Sequence, residues 1–181
     1  MNLLLIHPTS SQLEQATVFA AIYAEKGYGK NVLQVSQAQY LHFIRIGKLC
    51  EIVLVDYLRS SGVSIAAPDL LIPHQGNHKK GADFVIEKSN QTVDVKAANK
   101  PYHKRILIRE DQFQAKVHDL YIGAKYCNDS EIEFHGYLSG MQLLNKAPKN
   151  FGYGLCRSML LSQLNPMEVF MEKCLIGEII I

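Results

Sequence analysis

Apolar and polar residues alternate between Ala82 and Ala97, and this pattern predicts a β-hairpin. Phe84-Val85-Ile86 and Thr92-Val93 are rich in β-branched and aromatic residues, which favour strands. The small polar pair Ser89-Asn90 lies between them and is typical of a turn. The chain is therefore expected to fold back on itself here.

Three charged residues of this hairpin are expected to share one face of the sheet. A loop of two or four residues would pair Asp83 with Lys96 and Val85 with Asp94. Alternate strand residues point the same way and directly opposed residues share a face, so Asp83, Asp94 and Lys96 converge. Mg²⁺ prefers carboxylate oxygens, and a lysine beside the metal can hold a phosphate or the attacking water. Two carboxylates and a lysine are the groups that metal-dependent phosphodiester hydrolysis needs.

Helical spacing predicts a first helix near the N-terminus. Ser11-x-x-Glu14 is a capping box, and small residues such as Ala16 and Ala20 follow at helical spacing. The helix is expected to end at Gly27-Tyr28-Gly29. Its small residues would allow close packing against a second helix or a sheet.

A second helical region is predicted from Ser36 to Arg59, with an interruption at Gly47. Propensity alone would also allow a strand at Ile52 to Val55. A helix is preferred because it makes Glu51 the one charged residue on an otherwise apolar face. Glu51 is therefore expected to point inward.

These residues resemble the site of the PD-(D/E)XK nuclease superfamily, the restriction-endonuclease-like fold. In that family a strand aspartate, an Asp/Glu-x-Lys on the next strand and often an upstream helical glutamate form the site. The matching residues here are Asp83, Asp94, Lys96 and Glu51, and the resemblance covers about residues 45 to 140 by order of elements. Pro68-Asp69 supplies a literal Pro-Asp and leaves Asp69 as an alternative. Asp83 is preferred because it shares the hairpin.

The resemblance implies an endonuclease that uses Mg²⁺, with Mn²⁺ as a substitute, and leaves a 5′-phosphate on cleaved DNA. Asp83, Asp94, the main-chain carbonyl of Val95 and Glu51 would hold one or two metal ions. Lys96 would orient or deprotonate the attacking water. Two alternatives stay open: a catalytically silent nuclease-fold protein that binds nucleic acid or a partner protein, and an unrelated α/β protein with solvent-facing hairpin charges.

Further elements are expected on both sides of the hairpin. The apolar N-terminus predicts a buried or edge strand or the lead-in to a helix, and Arg109 to Lys116 predicts a short helix. Strands are predicted at Leu120 to Lys125 and at Ile132 to Leu138. The expected fold is α/β, restriction-endonuclease-like, with a central mixed sheet of four to five strands flanked by helices. The apolar tail Ile176 to Ile181 is expected to need a partner, either a strand of this chain or a second subunit.

The length of 181 residues predicts one nuclease-like domain over 1–181. We divide it into N-terminal helices (about 1–60), a catalytic core (about 45–140) and a C-terminal extension (about 141–181). No stretch approaches the roughly 20 apolar residues that span a bilayer. The N-terminal apolar run is short and lacks the basic start of a signal peptide, so a soluble, cytoplasmic protein is expected. Four widely spaced cysteines predict buried free thiols.

A formal net charge of +2 is too small to indicate nucleic-acid binding by itself, so a DNA-binding surface must be a local patch. The candidate phosphate contacts are Lys79, Lys80, Lys104 and Arg105, which lie in two basic segments. The alternative interpretation is that these segments are solvated loops without a binding role. Duplex DNA at a short site and branched DNA both remain open as substrates. Because duplex cutting favours two sites, a homodimer is expected.

Overall fold

A computed structural model of the chain describes residues 3–25, 36–66, 81–100, 102–152 and 154–181. These ranges form an α/β structure. The strands are β1 (Leu4–Ile6), β2 (Ile65–Ala66), β3 (Phe84–Ile86), β4 (Gln91–Ala98), β5 (Arg105–Arg109), β6 (Leu120–Asn128), β7 (Glu131–Ser139), β8 (Lys149–Asn150) and β9 (Leu155–Leu160). The helices are α1 (Ser10–Glu25), α2 (Gln37–Ser60), α3 (Glu110–Ala115), α4 (Gly140–Leu144) and α5 (Met167–Ile176), and a 3₁₀ turn spans Leu161–Gln163.

Six strands form a mixed sheet in the order β1-β7-β6-β4-β3-β2. β4 and β6 are parallel, and the other neighbours are antiparallel. The sheet exceeds the predicted four to five strands because the short strands β1 and β2 extend its two edges. β1 makes the N-terminus an edge strand, which is one of the three alternatives that the sequence left open.

Both faces of this sheet are covered, and the two apolar cores follow strand alternation. On one face, residues of α1, α2 and α5 pack against Val93, Val95 and Ile122. On the other face, Tyr121 and Leu138 pack with residues of β5, α3, α4, β9 and the 3₁₀ turn. A second sheet of three strands, in the order β5-β9-β8, contributes to this other cover.

The helix α2 runs for 24 residues without a break, so the predicted interruption at Gly47 is wrong. A glycine costs only about 1 kcal/mol in a helix interior. The burial of Leu49, Leu54 and Leu58, each fully buried, outweighs that cost. The same burial explains why the β-branched run Ile52 to Val55 is helical.

The helix α1 begins two residues earlier than its predicted capping box. Gln12 N–H donates to Thr9 Oγ1 at 3.3 Å and Thr9 N–H donates to Gln12 Oε1 at 2.9 Å, so Thr9 and Gln12 form the reciprocal cap. Ser11 already lies inside the helix, and the prediction of a cap there is wrong. The buried alanines Ala16 and Ala20 allow α1 to pack on α2, as expected. The predicted end of the helix at residues 27–29 lies outside the described residues.

The hairpin β3–β4 is present, with a register two residues away from the predicted one. The pairs are Phe84 with Val93, Val85 with Thr92 and Ile86 with Gln91. Asp83 is therefore not opposite Lys96, and Val85 is not opposite Asp94. A shift of two residues keeps every side chain on its face, whereas a shift of one would reverse them all. The change of register therefore does not move Asp94 or Lys96 to the other face of the sheet.

Within the part of the chain that the structure describes, the C-terminal tail pairs with a side chain and not with a strand. Ile180 is buried, its N–H donates to Gln91 Oε1 at 2.9 Å, and its carbonyl accepts from Gln91 Nε2 at 2.9 Å. Lys88 Nζ donates to the carbonyl of Leu175 at 2.6 Å. The tail thus closes against the start of β4 within the chain. Within the described ranges, no helix combines the length and apolar character needed to cross a membrane.

Candidate functional site

Asp94 and Lys96 form an ion pair on one face of β4. Lys96 Nζ lies 2.7 Å from Asp94 Oδ2 and 3.0 Å from Oδ1, so one ammonium group contacts both carboxylate oxygens. The two side chains are 12% and 26% exposed for Asp94 and Lys96, respectively. The pair is therefore largely enclosed by protein and still reachable from solvent.

Asp83 lies immediately before β3 and turns back onto β4. Its N–H donates to the Val93 carbonyl at 2.9 Å, and its Oδ2 accepts from the Val95 N–H at 2.7 Å. The N–H and carbonyl of one strand residue point to the same neighbour. The Val95 carbonyl therefore points towards the Asp83 side of β4, beyond the last β3–β4 pair at Phe84 and Val93.

Glu51 comes from α2, as the predicted inward-facing residue of that helix. Its carboxylate accepts a hydrogen bond from Lys48 Nζ, and each of these side chains is 14% exposed. Lys48 Nζ also lies 4.4 Å from the centre of the Phe19 ring, a cation–π contact. Asp56, on another face of the same helix, is exposed and accepts from Gln12 Nε2 at 2.8 Å.

The charges of these residues act on one another. Burial raises the pKa of Asp83 well above its usual range, and the negative charges of Glu51 and Asp94 raise it further. Burial also raises the pKa of Glu51, against the opposing effect of the Lys48 ammonium. Burial alone would lower the pKa of Lys96, but the neighbouring Asp94 and Asp83 carboxylates raise it. The structure therefore brings the four predicted site residues into one electrostatically coupled cluster.

Three neighbours of the cluster were not predicted. Lys48 pairs with Glu51, and the parallel strand β6 places Tyr121 beside Asp94. The Tyr121 hydroxyl accepts from the His118 N–H at 3.2 Å. His118 is buried, and among the described residues its Nδ1 has no hydrogen-bond partner. Lys48 lies one turn before Glu51, and this i, i+3 spacing was the sequence signal that could have revealed it.

A cavity of about 770 Å³ opens beside Lys96. Residues from α2, from the end of β4 and from the second sheet line it. Lys104 and Arg105, two of the predicted phosphate contacts, are among the lining residues. Lys79 and Lys80, the other two, lie outside the described residues, as does Asp69.

A second group of possible metal ligands lies at the far end of the β6–β7 hairpin. Cys127, Glu131 and Glu133 have ligand atoms that all lie within 4.8 Å of one another. Glu133 also contacts His135 Nε2 at 2.9 Å and Lys125 Nζ at 3.5 Å. Glu51, Asp83 and Asp94 do not form so tight a group among the described residues. All four cysteines are free, as predicted, although Cys127 is only half-buried.

Comparisons with protein-family models, with curated proteins and with solved structures each find no match. The function is therefore inferred from the geometry and chemistry of this chain.

Proposed function

We propose that the chain is a Mg²⁺-dependent endonuclease that hydrolyses DNA phosphodiester bonds at an Asp/Asp-x-Lys site. The observation that carries this proposal is the convergence of Asp83, Asp94, Lys96 and Glu51. These residues come from α2 and from both sides of a hairpin, and their carboxyl and ammonium charges influence one another. Buried carboxyl groups with raised pKa values cluster at functional sites more often than at random positions.

The donor chemistry fits Mg²⁺, with Mn²⁺ as its usual substitute. Carboxylate and carbonyl oxygens are the ligands that these hard cations prefer. Asp83, Asp94 and the Val95 carbonyl would hold the metal, with Glu51 as a further ligand or as a holder of metal-bound water. Three carboxyl groups here face two ammonium groups, those of Lys48 and Lys96. A bound divalent cation would polarise the phosphoryl oxygen and stabilise the charge that develops on it.

The residues of the chain have separable roles in this proposal. Lys96 holds the attacking water or a phosphate oxygen, and its contact with both Asp94 oxygens keeps the ammonium group in place. Asp83 is fixed by the Val95 N–H through one oxygen. The other Asp83 oxygen is then oriented for a cation or a water molecule.

The order of elements is consistent with a restriction-endonuclease-like fold, which we include in the proposal. The helix α2 with Glu51 is followed by the hairpin β3–β4, the short helix α3, and the strands β6 and β7. β4 and β6 are parallel neighbours connected through β5 and α3. The site residues then lie on the central strand β4 and on the elements beside it.

A catalytically silent nuclease-fold protein that binds DNA or a partner protein is the second candidate. It is favoured by the internal ion pairs, because Lys96 already contacts Asp94 and Lys48 already contacts Glu51. In such a protein the two lysines would take the place of the metal. The acid, acid, lysine set would then serve stability alone.

Incubation of the protein with duplex, single-stranded and branched DNA in Mg²⁺ separates the two candidates. We expect cleavage that EDTA abolishes and Mn²⁺ restores, with products that carry a 5′-phosphate. DNA binding without any cleavage would favour the silent protein. Calorimetry with Mn²⁺ would then show whether the acids bind metal at all. No heat of binding would rule out the Mg²⁺-dependent nuclease and leave the silent protein, in which the two lysines take the place of the metal.

A further inference from the structure

The cavity beside Lys96 has an apolar floor and a cationic rim. Phe43 and Ile46 of α2 and Ile106 and Leu160 of the second sheet line it, and these apolar side chains are buried or partly buried. The rim carries the basic residues Lys100, Lys104 and Arg105, and none of the described residues that line the cavity is acidic. This combination matches a ligand with an apolar, flat part and an anionic part.

The size of the cavity restricts that ligand. Pockets of about 300–1,000 Å³ enclose molecules of drug size, so about 770 Å³ accommodates roughly one or two nucleotides. In a paired duplex the bases are stacked inside a helix that is too wide to enter this cavity. A base must leave the stack to enter a pocket of this kind.

Aromatic side chains at the cavity offer surfaces on which a base can stack. Tyr102 is 72% exposed although it is a large aromatic residue, and its ring meets the His103 ring edge-on with centroids 4.9 Å apart. Phe151 lines the same cavity. Exposed aromatic rings beside lysine and arginine are typical of surfaces that bind single-stranded nucleic acid.

We infer that this cavity holds one or two unpaired nucleotides, so that the substrate is DNA with a single-stranded segment and not a continuous duplex. The inference rests on the proposed function, because that function places the scissile phosphate at Lys96, which lines the cavity. The bases stack at Tyr102 and Phe151. The adjoining phosphates contact Lys104 and Arg105.

Fluorescence anisotropy tests the inference without any cleavage. A labelled oligothymidine and a blunt duplex of equal length are titrated with the full chain in Ca²⁺. We expect the single strand to bind at least about tenfold more tightly. Tyr102→Ala should weaken single-strand binding by about tenfold, as expected for the loss of one stacked base, and leave duplex binding unchanged.

Met141→Ala is the matched control, because Met141 is 63% exposed and does not line the cavity. It should change neither affinity. Melting curves of both variants check that they are folded, and Tyr102→Leu repeats the test with an apolar side chain that cannot stack. Equal affinity for the two DNAs, or an equal loss on both in Tyr102→Ala, would overturn the inference.

The inference and the proposed function can fail separately. If the parent protein prefers single strands through Tyr102 but cleaves no DNA in Mg²⁺, the binding cavity stands and the nuclease does not. If the parent protein cleaves continuous duplex as fast as branched or single-stranded DNA, the nuclease stands and the cavity assignment is wrong.

Discussion

Asp94 and Lys96 hold each other's side chains in place, because the Lys96 ammonium group contacts both oxygens of the Asp94 carboxylate. Asp94→Asn removes the negative charge, and Lys96→Ala removes the group that holds water or phosphate. We expect each variant to lose Mg²⁺-dependent cleavage by about 10²- to 10³-fold, the usual loss for one group that stabilises transition-state charge. Single-turnover rates on the preferred DNA measure this loss.

Asp56→Asn is the control for these variants. It changes an exposed carboxylate of α2 that bonds to Gln12 and takes no part in the cluster. Its cleavage rate should equal that of the parent. Rates within threefold of the parent in both Asp94→Asn and Lys96→Ala would remove these residues from the site.

Glu51→Gln is expected to weaken cleavage rather than abolish it. Glu51 lies on α2, whereas the other two acids belong to the hairpin region, and its carboxylate is already paired with Lys48. The effect should be largest at low Mg²⁺ if the carboxylate supports metal binding. Rates measured across a Mg²⁺ titration provide the test. The same rate as the parent at every Mg²⁺ concentration would exclude a role in metal binding.

The raised pKa of Asp83 predicts how the stability of the metal-free protein depends on pH. Above the ordinary carboxyl pKa of about 3.8 and below the folded value, the folded protein binds more protons than the unfolded chain. Stability therefore falls as pH rises through this window, and the loss saturates above the folded pKa. The groups that act on Asp83 are Glu51 and Asp94, which raise its pKa, and Lys96, which opposes them.

Asp83→Asn should remove this loss and still accept the Val95 N–H through its amide oxygen. We expect the melting temperature of the variant in EDTA to exceed that of the parent increasingly as pH rises towards neutrality. Each kcal/mol of relief corresponds to about 2–4 °C in a chain of this size. Mn²⁺ at a hundred times its Kd should stabilise the parent by about 2.7 kcal/mol and the variant by much less. Parallel curves for the two proteins, with no Mn²⁺ shift in the parent, would mean that the acids do not form a metal site.

At the scale of elements, Gly136 determines how closely the segment after the 3₁₀ turn approaches β7. Its φ is +146°, and a Cβ there would lie 2.1 Å from the Asn165 carbonyl oxygen. The Asn165 backbone forms two hydrogen bonds with Tyr137 at this point, at 2.8 Å and 2.9 Å. Gly136→Ala must therefore displace main chain and distort β7.

We expect Gly136→Ala to destabilise the protein by about 3 kcal/mol, from backbone strain and overpacking together. Gly81→Ala is the control, because a Cβ at Gly81 meets no atom of the described residues within 4 Å. Urea denaturation of the two variants measures the difference in the free energy of unfolding. Equal stability of Gly136→Ala and the parent would show that the segment moves without cost.

For the whole molecule, binding to DNA should depend strongly on salt although the formal net charge is only +2. Lys96, Lys100, Lys104 and Arg105 line the cavity without an acidic neighbour in its described lining, and each phosphate that they neutralise releases counterions. Changing both Lys104 and Arg105 to Ala should flatten the plot of log affinity against log salt by about one to two units. Binding in Ca²⁺ at several salt concentrations provides the slope.

Lys146 and Lys173, changed together to Ala, provide a control that removes the same charge away from the cavity. Their slope should match the parent. If the Lys104 and Arg105 variant also matched the parent, the DNA-binding surface would lie elsewhere. Sedimentation of the protein with and without DNA would show whether the expected homodimer forms.

Local periodicity is enough to predict from the sequence which residues share a face. Strand alternation put Asp94 and Lys96 together, and helical spacing put Glu51 on the buried side of α2, because both periods are properties of the local backbone. The hairpin follows from equally local signals, which are the β-branched and aromatic flanks and the small polar turn between them. The resemblance to a nuclease motif rested on these same residues.

The residues that lie across from those faces follow from packing between separate elements. The neighbour Tyr121 and the cavity beside Lys96 depend on packing between segments that are far apart in sequence. Gly47 is helical because burial of a whole helix face outweighs a local preference of about 1 kcal/mol. The cap of α1 at Thr9 has a local cause, since Thr9-x-x-Gln12 is itself a capping box. The tail contacts Gln91 because the buried N–H and carbonyl of Ile180 need hydrogen-bond partners. The side-chain amide of Gln91 supplies both partners, as a neighbouring strand would.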